Sequence, residues 1–227
     1  MDFYHEKFMR NSFTKSEQKK LKTLNIVIVG LGGTGSFAFE NLVRMGVENF
    51  TLFDSDRYEL TNYNRQLFAH DHSVDKLKTR VASDRAHKIN QNCKVEQFGL
   101  FDPKLLKTKP QIIFDCSDNV KSKIAISKYC ISKKIPHVFC SANDYRGIIS
   151  VLFGKTFEDM FNLPKDPDAL AKFAVCSSVV CPSAAVSGSL AAMLGINYLL
   201  KKHTVLAPEA LFFNLQSKEM FWRNRLG

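Results

Sequence analysis

Four β-branched apolar residues stand in a row at Ile26-Val-Ile-Val29, and Gly30 stops the run. A stretch that is apolar at every position, not at alternate ones, is a strand covered on both faces, and such strands belong to parallel sheets. The spacing then changes. From about Ser36 to Met45 the apolar residues Phe37, Leu42 and Met45 suit a helix, and Gly46 supplies its C-cap. Phe50-Thr-Leu-Phe53 is a second strand, ending at Asp54. Strand, glycine turn, helix and strand in this order make a βαβ crossover.

The alternation continues along the chain. Residues 1–24 read as a helical lead-in, with Gln18, Leu21 and Leu24 at helical spacings. Lys76 to Asn90 reads as a helix with Leu77, Val81, Ala86 and Ile89 apolar, and Val95 to Leu100 as a strand. Gln111 to Phe114 is a strong strand ending at Asp115. Lys121 to Lys134 reads as a helix with Ile124, Ala125, Tyr129 and Ile131 inward. Its lysines 121, 123, 128, 133 and 134 have no acid between them. They read as a solvated face, or as a docking surface for an acidic carrier or RNA. Strands are expected at His137–Cys140 and Gly147–Phe153, and a closing hairpin at Ala210–Leu215 with Glu219–Arg223. Residues 154–175, broken by Pro164 and Pro167, read as a crossover loop or lid. The uncharged stretch Phe173–Leu200 is long enough for a bilayer, but it carries Pro182, Asn197, two glycines and five serines. A loop followed by a buried helix, Ala184 to Lys201, accounts for it better. The expected fold is α/β: one domain over 1–227, a Rossmann-like, mostly parallel sheet with helices on both faces and C-terminal antiparallel strands.

Charge and cysteine usage narrow the chemistry only a little. Lys and Arg number 32 against 22 Asp and Glu, a net charge of +10, which favours an acidic partner. Six cysteines occur, none of them in a C-x-x-C pair, so a zinc ribbon is not expected. The first 24 residues lack the apolar core of a secretory leader, and a cytoplasmic protein with free thiols is expected.

The glycine turn is more specific. Gly30-Leu-Gly-Gly-Thr-Gly35-Ser36 places G-x-G-x-x-G between a strand and a helix, where amides and the helix dipole attract phosphate. It lacks the Gly-Lys-Ser/Thr of a Walker loop. Asp54, at the end of the second strand, suits ribose hydroxyls. Asp54-Ser-Asp56 leads into Thr61-Asn-Tyr-Asn-Arg-Gln66, Lys78 follows, and Asp115-Cys-Ser-Asp118-Asn119 closes another strand. A carboxylate, an arginine and a lysine together suit a triphosphate with Mg²⁺ better than a dinucleotide. Plainer roles are open to each: a helix cap for Asn62, a surface ion pair for Arg65, a turn for Asp118-Asn119.

In this order the motifs resemble the ThiF/MoeB/HesA family, relatives of ubiquitin-activating enzymes, from about Arg10 to the C-terminus. The resemblance implies ATP-dependent adenylation of the C-terminal Gly-Gly carboxylate of a ubiquitin-like or sulfur-carrier protein. It implies nucleotide contacts at Gly30, Gly32, Gly33 and Gly35, ribose binding at Asp54, and a further contact at Asp56. The phosphates would be held by the stretch Thr61, Asn62, Tyr63, Asn64 and Arg65 and by Lys78, with Gln66 a further cofactor contact, and ATP with Mg²⁺ by Asp118 and Asn119. Arg65, Lys78 and Asp118 would carry the catalysis, with Asp118 on the metal. Arg10 is similar to an arginine that reaches ATP from the other subunit of a homodimer. Cys176 resembles a family cysteine on the crossover loop that acts as a nucleophile in some members, and Cys181 competes with it. The chain departs from the family in lacking the two zinc-binding C-x-x-C pairs, and in placing Asp75 where a glycine often stands three residues before the lysine. An ATP-dependent tRNA threonylcarbamoyladenosine dehydratase is the alternative within the same fold. A non-catalytic half of a heterodimer is the third reading, opposed by the intact Arg65, Lys78 and Asp118.

Overall fold

The computed structural model describes residues 3–8, 10–164 and 178–227. Two helices lead in, α1 (Phe3–Phe8) and α2 (Lys15–Thr23), the second opened by a capping box between Thr14 and Glu17. Then follow β1 (Asn25–Val29), α3 (Gly33–Met45), β2 (Asn49–Phe53), α4 (Lys78–Ile89), β3 (Lys94–Phe98), β4 (Ile112–Asp115), α5 (Val120–Lys133), β5 (His137–Asn143) and β6 (Arg146–Leu152). A short helix α6 (Phe157–Phe161), the long helix α7 (Cys181–Leu199) and the strands β7 (Glu209–Asn214) and β8 (Phe221–Arg225) complete the described elements.

The eight strands form one sheet in the order β3-β2-β1-β4-β5-β6-β7-β8. Pairing is parallel from β3 to β5 and antiparallel from β5 to β8. The apolar run of β1 shows why both faces must be covered. Ile26 and Ile28 enter one core with Phe39 and Leu42 of α3 and Ala191 of α7, whereas Val27 and Val29 enter another with Ile126 and Cys130 of α5. Helix α7 is the buried helix expected from the sequence, begun one turn earlier at Cys181 with Pro182 in its first turn. It lies close against α3 because Gly188 has no side chain: a Cβ there would stand 2.2 Å from the Thr34 carbonyl oxygen. Among the described residues no helix is long and apolar enough to cross a membrane.

Three expectations need correction. Helix α3 starts at Gly33, so half of the glycine turn is already its first turn. The stretch 154–175 is not wholly irregular, because Thr156 and Asp159 form a capping box that starts α6. In α5 the buried face is Val120, Lys123, Ile126, Ser127 and Cys130, while Ala125 and Ile131 are exposed. Lys123 therefore leaves the solvated lysine face and enters the interior.

Candidate active site

Strand order reverses between β1 and β4, since the chain grows outward through β2 and β3 and then crosses back. Open α/β sheets bind ligands outside the carboxyl ends of the strands at such a reversal. The glycine turn leaves β1 there, and the Ser117-Asp118-Asn119 segment leaves β4 beside it. Two glycines make that proximity possible. Gly30 has φ +88°, and a Cβ on it would lie 2.7 Å from the Cys116 carbonyl oxygen. A Cβ on Gly35 would lie 1.9 Å from the Gly30 carbonyl oxygen, so only glycine lets α3 start this close to β1. No side chain caps α3 at Gly32. Its first amides therefore face a cleft of ≈ 560 Å³ lined by Gly32, Gly33 and Thr34.

Asp54 braces the turn. Its Oδ2 accepts from the Leu31 N–H at 2.6 Å and its Oδ1 from the Asp56 N–H at 2.8 Å. Burial raises its pKa, against the pull of Lys78 and of those two amides. Lys78 is buried at the start of α4, with Nζ 2.9 Å from Asp56 Oδ2. Asp75, three residues before it, sits in the left-handed region at φ +62°. That conformation explains why a glycine suits the position, and aspartate is among the few other residues that tolerate it.

The loop between β2 and α4 is tied to α3 by the Ser36 hydroxyl, which accepts from the Leu67 N–H at 3.1 Å and donates to the Gly33 carbonyl at 3.0 Å. Arg65 is oriented by two bonds of 2.8 Å, to the Thr61 carbonyl and to Asn64 Oδ1. Gln66 is buried beside Gly32, its Nε2 3.8 Å from where a Cβ on that glycine would stand and its Oε1 without a partner among the described residues.

Ten of the residues singled out in the sequence line the cleft: Gly30, Gly32, Gly33, Asp54, Asp56, Arg65, Gln66, Lys78, Asp118 and Asn119. Gly35, Asn62 and Asn64 are not among the lining residues. Asn62 is buried and closes a tight turn by accepting from the Glu59 N–H at 3.2 Å, the plainer role open to it. Asn119 combines both roles: it lines the cleft and caps α5 by accepting from the Ser122 N–H at 2.8 Å. Asp118 is exposed and makes no hydrogen bond or ion pair that ties it up among the described residues. Arg10 is exposed and outside the cleft of its own chain. Cys176 lies outside the described residues. Cys181 is exposed at the first turn of α7 and does not line the cleft. Among the described residues no group of three or more His, Cys, Asp or Glu could hold a metal ion.

Sequence reasoning missed a buried charge cluster at the cleft, of which Lys123 reaches the lining. Asp115, at the end of β4, is fully buried, with Oδ1 3.4 Å from Lys123 Nζ and Oδ2 3.3 Å from His137 Nε2. The Ser117 hydroxyl donates to the same Oδ1 at 2.6 Å. Burial pushes this carboxyl up, but Lys123, His137 and Ser117 overcome it and hold the pKa at about 2. Lys123 also stands 4.9 Å over the Phe139 ring. The signal was available: positions 120, 123, 126, 127 and 130 follow the helical period, and Lys123 is the charged one among them.

The sequence model of the ThiF family matches residues 4–226. The chain belongs to the ThiF family. This ThiF-family protein is 31% identical over 201 residues to the molybdopterin-synthase adenylyltransferase of Escherichia coli, covering 86% of the chain and 81% of that protein. It is 34% identical over 142 residues to a tRNA threonylcarbamoyladenosine dehydratase of Haemophilus influenzae. That match takes in 60% of the chain and 54% of the dehydratase, about half of its length. Among solved structures, PaaA superposes with a TM-score of 0.81 at 19% identity, over 100% of this chain and 74% of that one. Escherichia coli MccB, solved with ATP, superposes with a TM-score of 0.76 at 22% identity, over 93% and 66%. At these identities the two structures confirm the fold: α/β, with antiparallel strands closing a mostly parallel sheet.

Proposed function

We propose that this ThiF-family enzyme uses ATP to adenylate the C-terminal carboxylate of a ubiquitin-like or sulfur-carrier protein ending in Gly-Gly. One observation carries the reading: Asp118, Lys78 and Arg65 all line one cleft together with the uncapped N-terminus of α3. Such a cleft suits a polyphosphate. In the reaction a carboxylate oxygen attacks the α-phosphorus, an acyl–phosphate bond forms, and the bond to pyrophosphate breaks. The carrier carboxylate is already ionised near pH 7, so no base is required. Asp54 takes the ribose hydroxyls. The α3 amides, Lys78 and Arg65 offset phosphate charge and hold the reacting groups in line, where positioning and neutralisation account for most of the catalysis. Asp118 is the free carboxylate that would hold Mg²⁺, and one carboxylate with substrate phosphates is enough for that ion. Held there, the ion would supply charge neutralisation to the phosphates.

The relative named as a tRNA dehydratase supports a second reading, in which a carboxylate on tRNA is activated by the same cleft. ATP–pyrophosphate exchange separates the two. A panel of Gly-Gly-ended carriers is expected to stimulate exchange at least tenfold over the protein alone, with bulk tRNA giving none. Stimulation by tRNA and by no carrier would transfer the assignment to the dehydratase.

The same reading includes a homodimer in which Arg10 of one protomer reaches the nucleotide of its partner. The exposure of Arg10 outside its own cleft supports this. Light scattering after size exclusion is expected to give twice the mass of the 25.8 kDa chain. A monomer at micromolar concentration would remove the role given to Arg10.

A further inference from the structure

Two thiols that the adenylation chemistry does not use meet in the cleft lining. Cys116 follows β4 and Cys140 lies in β5. The parallel register of these strands pairs Phe114 with Val138 and Asp115 with Phe139, so the next step sets Cys116 beside Cys140. Neighbouring strands are about 4.8 Å apart, within the Cα separations that disulfides span. The two Sγ atoms are 3.5 Å apart, and both residues line the cleft. Lys123 lines the same cleft, with its ammonium 3.4 Å from Asp115, the residue before Cys116. Neither thiol is held by a metal group among the described residues.

We propose that Cys116 and Cys140 are a modification site: a peroxide entering the cleft joins them as a disulfide, and the bond closes the cleft to nucleotide. The step balances. One thiolate attacks a peroxide oxygen, the O–O bond breaks, and a sulfenic acid and one water result. The second thiol displaces the hydroxyl as a second water, so two electrons pass from two sulfurs to one peroxide.

Closure follows from what surrounds Cys116. Bond formation draws the sulfurs from 3.5 Å to about 2.05 Å. Cys116 cannot take up that movement alone. Its N–H donates to the Val29 carbonyl at 2.8 Å, its carbonyl lies against Gly30, and its Cβ would be 3.1 Å from a Cβ on Gly35. A packed interior transmits such a shift, and here it passes to the glycine turn on one side and to Ser117-Asp118 on the other.

The effect on nucleotide rests on the function proposed above, whereas the bond itself does not. The test therefore has two readouts on the full chain. After hydrogen peroxide treatment of the ligand-free protein, intact mass and peptide mapping without reductant are expected to show a 116–140 linkage, with a loss of about 2 Da per bond formed. Titration calorimetry with ATP and Mg²⁺ is expected to show at least tenfold weaker binding in the oxidised protein, restored by dithiothreitol. Cys140→Ser is expected to keep its own pre-treatment affinity through the same oxidation, and Cys116→Ala to do likewise should the first variant fail to fold. Absence of the linked peptide, or a linkage that leaves ATP affinity unchanged, would overturn the proposal. A reduced protein that binds no ATP while the linkage still forms would instead overturn the nucleotide reading and spare the disulfide.

Discussion

Asp118→Ala is expected to lower adenylate formation at least a hundredfold and to leave the fold intact. The two halves of this expectation have separate causes. Asp118 is exposed, follows β4 and has no protein partner tying it down among the described residues, so its removal breaks no packing and no ion pair. Its thermal midpoint is expected to stay within about 2 °C of the original, because surface changes of this kind are worth less than ~0.5 kcal/mol. In the proposed reaction, however, it is the carboxylate that would hold Mg²⁺, whose charge would offset that of the phosphates. Loss of one such charge contact at a phosphoryl centre raises the barrier by about 3 kcal/mol, roughly a hundredfold in rate. ATP–pyrophosphate exchange within a factor of about two of the original would show that Asp118 does not hold the metal, since twofold corresponds to only ~0.4 kcal/mol.

The second large effect belongs to stability. Lys123→Met keeps much of the side-chain volume but leaves Asp115 buried with His137 and Ser117 as its remaining side-chain partners and no lysine beside it. Breaking a buried pair by removing one member costs about 3–5 kcal/mol, because the other charge stays uncompensated. Urea midpoints read that loss at pH 7. The pH profile gives an independent check. Asp115 is held at about 2 in the folded chain, against about 3.9 when unfolded. Its contribution is therefore fully present above the unfolded value and is lost as pH falls through the folded one. The parent protein is expected to lose stability between about pH 4 and pH 2, and Lys123→Met to lose less over that window, having little of this contribution left. Equal acid slopes for the two proteins would show that Lys123 does not support the carboxylate.

The parts of the molecule differ in how plainly the sequence announces them, and the reasons are physical. The run Ile26–Val29 names a doubly covered strand because both faces need apolar side chains, and both cores receive them. The glycine turn is equally legible, since Gly30 and Gly35 fill positions where a Cβ meets backbone at under 3 Å. Helix α5 is less so. Its period is visible, but its buried face includes a lysine and a serine, whose burial depends on an aspartate on a different strand and on the N–H of Phe157. The start of α7 at Cys181 also escaped, because Pro182 reads as a break until it is seen to occupy a first helical turn. Among site residues, Gly30, Gly32, Gly33, Asp54, Asp56, Asp118 and Asn119 follow strand ends, which a sequence shows, whereas Arg65, Gln66 and Lys78 are brought to the cleft by the long loop and the start of α4. Asn62 and Asn64 look equivalent to those in the sequence, yet one closes a turn and the other orients Arg65.

The change from parallel to antiparallel pairing at β5 divides one sheet between two tenancies. Strands β1, β2, β4 and β5 and the segments that leave them supply much of the cleft lining, and each of these strands is paired on both sides. The terminal ribbon of β7 and β8 contributes nothing to the cleft lining, and all five β8 residues are exposed. The exposed side chains of β8 can change without reshaping the cleft, whereas Ala210 and Phe213 of β7 are held in the core. A lineage built on this plan can therefore diversify what it recognises along the sheet's free margin while the cleft stays fixed, and an engineer can graft there first.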